Sequence, residues 1–230
     1  MTQLEENLDQ LRGRVAAAAA RAGRKESEVR IMAVSKTRTR EEVLAAYALG
    51  LRLFGENRVQ ELREKFTAMP PDLELHLIGR LQSNKAGGAA AACACVQSID
   101  KWETLTALDR GAVKAGRRLD FLLEIHLSGE ESQSGIRDTV YFYELLEKLS
   151  QVQNLRLRGL MGIAPQGEPE RIRRAFRSLA ALGEEAKGRF PGLDFSVLSM
   201  GMSGDFEIAI EEGATLIRVG TLLFGERPGV

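Results

Sequence analysis

Strand-like and helix-like segments alternate along this chain with almost no interruption, and that regularity limits the fold more than any single motif does. Residues 30–34 (R-I-M-A-V) read as a strand and 40–49 as a helix. The alternation continues with strands at 51–54, 74–78, 95–99, 119–127, 155–161, 195–198 and 215–219. Helices are expected between them at 58–66, 83–92, 101–115, 138–149, 168–187 and 206–212, with a short last segment around Leu222. Ahead of this series, Leu4, Leu8, Leu11 and Val15 recur at spacings of four, three and four, one apolar helical stripe, and Gly23 is the expected stop. Eight strands separated by seven helices imply parallel strands joined by right-handed crossovers. The expected class is therefore α/β. The expected architecture is a single (β/α)8 TIM barrel with an extra N-terminal helix, one domain over residues 1–230. An open doubly wound sheet is the alternative.

Composition narrows the functions such a fold could carry. Thirty-two basic and 32 acidic side chains cancel, so no general field gathers nucleic acid or an anionic membrane surface. Any anion must be held by a local site. No run of about 18 apolar residues is present, so no membrane span is expected. Cys93 and Cys95 lie two apart in an alanine-rich stretch with no histidine nearby, a poor metal site; they read as small buried apolar residues. So few cysteines suit a reducing compartment, and Glu5, Glu6 and Asp9 argue against a transit peptide, so a cytoplasmic location is expected.

In such a barrel, chemistry collects at the C-terminal ends of the strands. Lys36 follows the first strand and shares parity with Met32 and Val34. Desolvation would free its amine for condensation with an aldehyde, whereas a lysine reaching solvent is the plain alternative. The loops after strands seven and eight are rich in glycine and hydroxyls. Gly201, Gly204 and Gly220 allow close approach of backbone N–H groups, and Ser203 and Thr221 add donors. Ser203 could instead cap the following helix. Arg218 interrupts an apolar strand and needs a ligand or an internal partner, Glu124 or Glu56 being candidates. An imine-forming lysine, a phosphate cradle and an arginine together fit pyridoxal 5′-phosphate (PLP). Arginine facing the ring nitrogen would oppose its protonation and leave the cofactor a poor electron sink.

The segments A-V-S-K-T (33–37), F-G-E-N-R-V-Q-E (54–61), H-L-I-G-R-L-Q-S-N-K (76–85), S-G-I (134–136), R-G-L-M-G-I (158–163), L-S-M-G-M-S-G-D (198–205) and I-R-V-G-T-L-L-F-G (217–225) resemble the PLP homeostasis proteins. These are PLP-binding proteins of the alanine racemase N-terminal-domain type, and the resemblance covers nearly the whole chain. It implies a PLP imine on Lys36, phosphate binding at Ser203, Gly220 and Thr221, and Arg218 beside the pyridine nitrogen. It further implies Asn57 near the cofactor, with His76 and Met200 lining the pocket. Gln133 stands where many relatives carry lysine, so a role attached to that lysine is not carried over.

The resemblance implies a carrier or regulator of PLP and of amino-acid balance rather than an enzyme. In two-domain racemases of this type a tyrosine on a second domain opposes the lysine. Here Tyr47, Tyr141 and Tyr143 all fall in segments expected to be outer helices, and the chain ends about ten residues after the eighth strand. The expectation is PLP binding with negligible turnover, by a monomer, with PLP-dependent apo-enzymes as candidate recipients. A PLP-dependent racemase, or an aldolase using Lys36 without cofactor, is the enzymatic alternative.

Overall fold

The computed structural model describes residues 2–130 and 133–226. Its eight strands are β1 (Arg30–Val34), β2 (Leu53–Glu56), β3 (Glu74–Leu77), β4 (Cys95–Ile99), β5 (Leu119–His126), β6 (Leu155–Ile163), β7 (Val197–Ser199) and β8 (Leu216–Val219). They pair in chain order, all parallel, and β8 closes on β1. The helices are α1 (Gln3–Arg21), α2 (Arg40–Ala48), α3 (Val59–Lys65), α4 (Ala86–Ala92), α5 (Trp102–Ala115), α6 (Thr139–Lys148), α7 (Pro169–Arg189), α8 (Phe206–Glu211) and α9 (Thr221–Phe224). The closed barrel with its leading helix is the architecture the alternation predicts; the open sheet is excluded.

Side chains of alternating parity separate two cores. Ala33, Phe54, Leu77, Val96 and Leu123 face outward into the large core beneath the helices. Met32, Leu53 and Leu216 fill one part of the barrel interior, and Cys95, Leu122 and Met161 another. Both cysteines are buried, and burial pushes the Cys93 thiol up to about 12, which leaves it unreactive.

β2 and β6 end later than their apolar runs suggest. β2 continues through Gly55 and Glu56, because these pair with His76 and Leu77. β6 runs on to Ile163, and its register slips between Phe121 and Leu122 of β5, leaving Arg158 as the extra residue. That bulge puts Leu157 in the outer core and Met161 in the barrel, although their spacing of four would place both on one face. Gly159 makes the bulge possible, with φ of +147° and a Cβ position 1.9 Å from the Val197 carbonyl oxygen.

Helix α1 braces α8, α9 and the loop before β8. A capping box at Thr2 and Glu5 starts it, and Gly23 in the left-handed region follows its last turn, as expected. Asn7 donates to the Leu223 carbonyl, and Arg24 donates to the carbonyls of Ile210 and Ala214. Arg14 pairs with Glu207 and stacks over Phe206. These contacts tie α1 to α8, α9 and the loop before β8, the elements that carry the polar loops of the rim.

Gly159→Ala is expected to cost about 2 kcal/mol through backbone displacement of β7 and to lower the thermal unfolding midpoint by roughly 4–8 °C. Circular dichroism melting measures this, and an unchanged midpoint would remove the bulge glycine from the account.

Candidate functional site

A cavity of about 410 Å³ opens at the C-terminal rim of the barrel, lined by Lys36, Asn57, Ser203, Gly204, Arg218, Gly220 and Thr221 among others. The expected site residues thus meet in one place, with two exceptions. Met200 is fully buried in the outer core, and Gly201 lies outside the lining. Gly201 serves the loop instead: φ is +89°, a Cβ there would stand 2.6 Å from the Ala209 Cβ, and its carbonyl accepts from Arg218 N–H. His76 is also outside the lining and sits deeper, in the barrel interior. A larger cavity of about 580 Å³ lies between α6, α7 and the N-terminal ends of β5 and β6, but no lysine or glycine-rich hydroxyl loop converges on it.

Lys36 keeps the parity of Met32 and Val34 and enters the cavity from the end of β1. It has no hydrogen bond or ion pair with the described residues. The chain turns sharply just beyond it, with Thr37 at φ of +67°. A buried cluster fixes this turn from below. Lys65 Nζ lies 2.6 Å from Glu56 Oε1 and donates to the Ser35 carbonyl at 2.7 Å. Ser35 Oγ donates to the same carboxylate oxygen at 2.8 Å. Burial pushes Glu56 up in spite of the lysine beside it, and its Oε2 has no partner. Of these two lysines, then, Lys65 is neutralised by a carboxylate and Lys36 is left free.

Across the barrel mouth, the loops after β7 and β8 supply donors. The backbone N–H groups of Ser203, Gly204, Gly220 and Thr221 make no hydrogen bond to the described residues, and neither do the Ser203 and Thr221 hydroxyls. Ser203 does not cap α8. Asp205 occupies that position, and its carboxylate accepts from Met202 N–H at 2.6 Å, closing the loop on itself. The serine is thereby released to face the cavity.

Arg218 is buried, yet no carboxylate among the described residues pairs with it. Nη1 donates to the Ser199 carbonyl at 2.6 Å and to Ser199 Oγ at 2.8 Å, while Nη2 donates to the Gly162 carbonyl at 2.9 Å. Burial brings its pKa down to about 10, with Asp205 and Glu124 opposing that shift from a distance. The alternative of an internal salt bridge to Glu124 or Glu56 is not met: Glu56 belongs to Lys65, and both Glu124 oxygens accept from Ser134 Oγ at 2.9 and 3.0 Å. A buried guanidinium satisfied only by neutral acceptors remains ready for a ligand atom that can accept a hydrogen bond.

Several lining residues were not singled out from the sequence. Val34, Ile78, Met161, Ile163 and Met202 give the cavity apolar walls suited to a flat ring, and Arg80 adds a further cation. Glu124 and Ser134 line it too, and burial raises the Glu124 carboxyl. Glu124, considered from the sequence only as a partner for Arg218, breaks an otherwise apolar stretch of β5, which is a usable signal for the site itself. Ser134 carries none, because it reaches the site only when Ile136 folds back to pair with Ile125. Gln133 stays outside the lining and donates to Glu130 at 3.3 Å.

Residues 7–228 match the family described as "Alanine racemase, N-terminal domain". A protein of Aquifex aeolicus named pyridoxal phosphate homeostasis protein is 40% identical over 224 residues, spanning 96% of this chain and 97% of its own. Among solved structures, PipY of Synechococcus elongatus without PLP is 38% identical, with a TM-score of 0.88 over 97% of this chain and 100% of that one. The structure of PipY with PLP bound is 39% identical, with a TM-score of 0.85 over the same shares. An alanine racemase of Clostridium difficile, 15% identical, shares the fold alone, with a TM-score of 0.71 over 98% of this chain and 57% of its own.

Lys65→Met is expected to destabilise the protein by about 3–5 kcal/mol, because it leaves the Glu56 carboxyl buried without its cation. Combining it with Glu56→Leu should recover most of that loss in denaturant melts. Equal stability of the single and double variants would show that the pair is not what holds the turn.

Proposed function

The chain belongs to the alanine racemase N-terminal-domain family, among its pyridoxal phosphate homeostasis proteins. From that membership we propose that it binds pyridoxal 5′-phosphate as an imine on Lys36 and acts as a carrier or regulator of PLP without significant turnover. One observation carries the reading: a lysine and four backbone N–H groups without partners among the described residues, two hydroxyls and a buried arginine line one cavity of about 410 Å³.

Each residue has a chemical task on this reading. Lys36 supplies the amine that bonds to the aldehyde carbon of the cofactor, and the loop fixed by Glu56 and Lys65 aims it. Ser203, Gly204, Gly220 and Thr221 donate to the phosphate. Asn57 lines the same cavity as the lysine; Gly79 lets its backbone approach closely, since a Cβ on that glycine would stand 2.2 Å from the Asn57 carbonyl oxygen. Ile78, Met161 and Ile163 exclude water from the ring. Arg218 donates to the ring nitrogen and, unable to accept a proton, holds it unprotonated. Such a ring stabilises carbanions poorly, which favours storage and delivery over turnover. Tyr47 lies on α2, and Tyr141 and Tyr143 on α6, so no tyrosine lines the cavity among the described residues. On this reading the protein acts as a cytoplasmic monomer that hands PLP to PLP-dependent apo-enzymes.

A second reading, a PLP-dependent amino-acid racemase, is favoured by Glu124 alone. That carboxyl lines the cavity from β5, the strand opposite β1 in the barrel. The PLP-loaded protein is expected to racemise amino acids no faster than its Lys36→Ala variant. An efficient rate lost on Lys36→Ala or Glu124→Gln would favour the enzyme.

Ser203→Ala and Thr221→Ala are each expected to weaken PLP retention roughly ten- to a hundredfold, the loss of one hydrogen bond to a charged group. Dialysis followed by visible absorption measures retention. Undiminished retention in both folded variants would mean the phosphate is held elsewhere.

A further inference from the structure

Arg218 is one end of a hydrogen-bonded file that crosses the barrel interior to the opposite rim. Its Nη1 donates to Ser199 Oγ at 2.8 Å, and Ser199 Oγ donates to Gln97 Oε1 at 2.6 Å. Gln97 Nε2 meets His76 Nδ1 at 2.8 Å, and His76 Nε2 meets Glu74 Oε1 at 2.7 Å. Arg30 Nη2 closes the file on Glu74 Oε2, with its own side chain half exposed at the N-terminal rim. Ser199, Gln97 and His76 are all buried.

The direction of every bond follows from the guanidinium. Arginine can only donate, so Ser199 Oγ accepts from it and must spend its own proton on Gln97. Gln97 therefore presents oxygen to Ser199 and its NH₂ to His76. An amide nitrogen only donates, so His76 Nδ1 is bare and its single proton sits on Nε2, facing Glu74. The hydrogen bond from His76, reinforced by Arg30, holds the Glu74 carboxyl down at about 2, so the far end of the file is a carboxylate. Donors aligned in one sense polarise one another, making Ser199 Oγ a better acceptor for Arg218.

We propose that Ser199, Gln97 and His76 are positioning residues that lock the plane and charge of Arg218 in the cofactor site, through a one-way file of hydrogen bonds ending at Glu74. The file replaces the missing carboxylate partner: it holds the cation without neutralising it beside the ring. The effect on cofactor rests on the reading that the cavity binds pyridoxal 5′-phosphate, whereas the direction of the file does not.

Two measurements separate these. Long-range ¹⁵N NMR of the protein without cofactor reads the His76 tautomer directly; the chain has two histidines, and His126→Gln assigns the signals. A ring with its proton on Nε2 and none on Nδ1 is expected. A proton on Nδ1, alone or as well, would overturn the file. In the PLP-loaded protein, Ser199→Ala and Gln97→Leu are expected to release cofactor about tenfold faster and to move the visible imine band, while Ser199→Thr keeps both near the parent. A purely structural role would leave the band in place in any variant that melts like the parent, and that outcome also overturns the proposal. If the parent itself shows no imine band on addition of PLP, the cofactor reading fails and the tautomer alone decides the file.

Discussion

The pairing that closes the barrel brings together residues that are nearly as far apart in the chain as they can be. β1 lies beside β8 in parallel, with Met32 opposite Arg218 and Ala33 opposite Val219. The end of β1 then delivers Lys36 to the same cavity that the end of β8 lines with Gly220 and Thr221. Nothing local in the sequence could join a lysine near the start to glycines and hydroxyls near the end. Helix α1 secures the same junction from outside through Asn7, Arg14 and Arg24.

Burial of charge is treated in two opposite ways within this one rim. Lys65 sits against Glu56, a pair that costs desolvation on both sides and fixes a loop. Arg218 is equally enclosed but is held by two carbonyl oxygens and a serine hydroxyl, with its charge intact. Lys36 has no partner among the described residues. The arrangement gives its acidic partner to the structural lysine and leaves the other two cations without a carboxylate among the described residues, so a chain of zero net charge still gathers positive charge at one cavity.

Periodicity made the barrel legible, because each helix and strand buries one face and the alternation itself dictates parallel crossovers. Parity on β1 correctly set Lys36 beside Val34. Parity failed on β6, where the bulge at Gly159 adds a residue and reverses the faces of Leu157 and Met161. Met200 was misread for a related reason: its motif neighbours reach the cavity, but its own side chain turns outward into the core. The sequence left Ser203 open as a cap or as a ligand donor, and Asp205 taking the cap position removes the first of these. Glu124 was one of two candidate partners for Arg218, and its actual partner was hidden in the sequence, since Ser134 approaches it only through the fold-back after β5.

Borohydride reduction of the PLP-treated protein, followed by peptide mass spectrometry, tests the central claim most directly. The account predicts one reduced phosphopyridoxyl group, on the peptide containing Lys36, and none when Lys36 is replaced by alanine. Label on Lys65 or another lysine, or no label in a folded preparation, would contradict it.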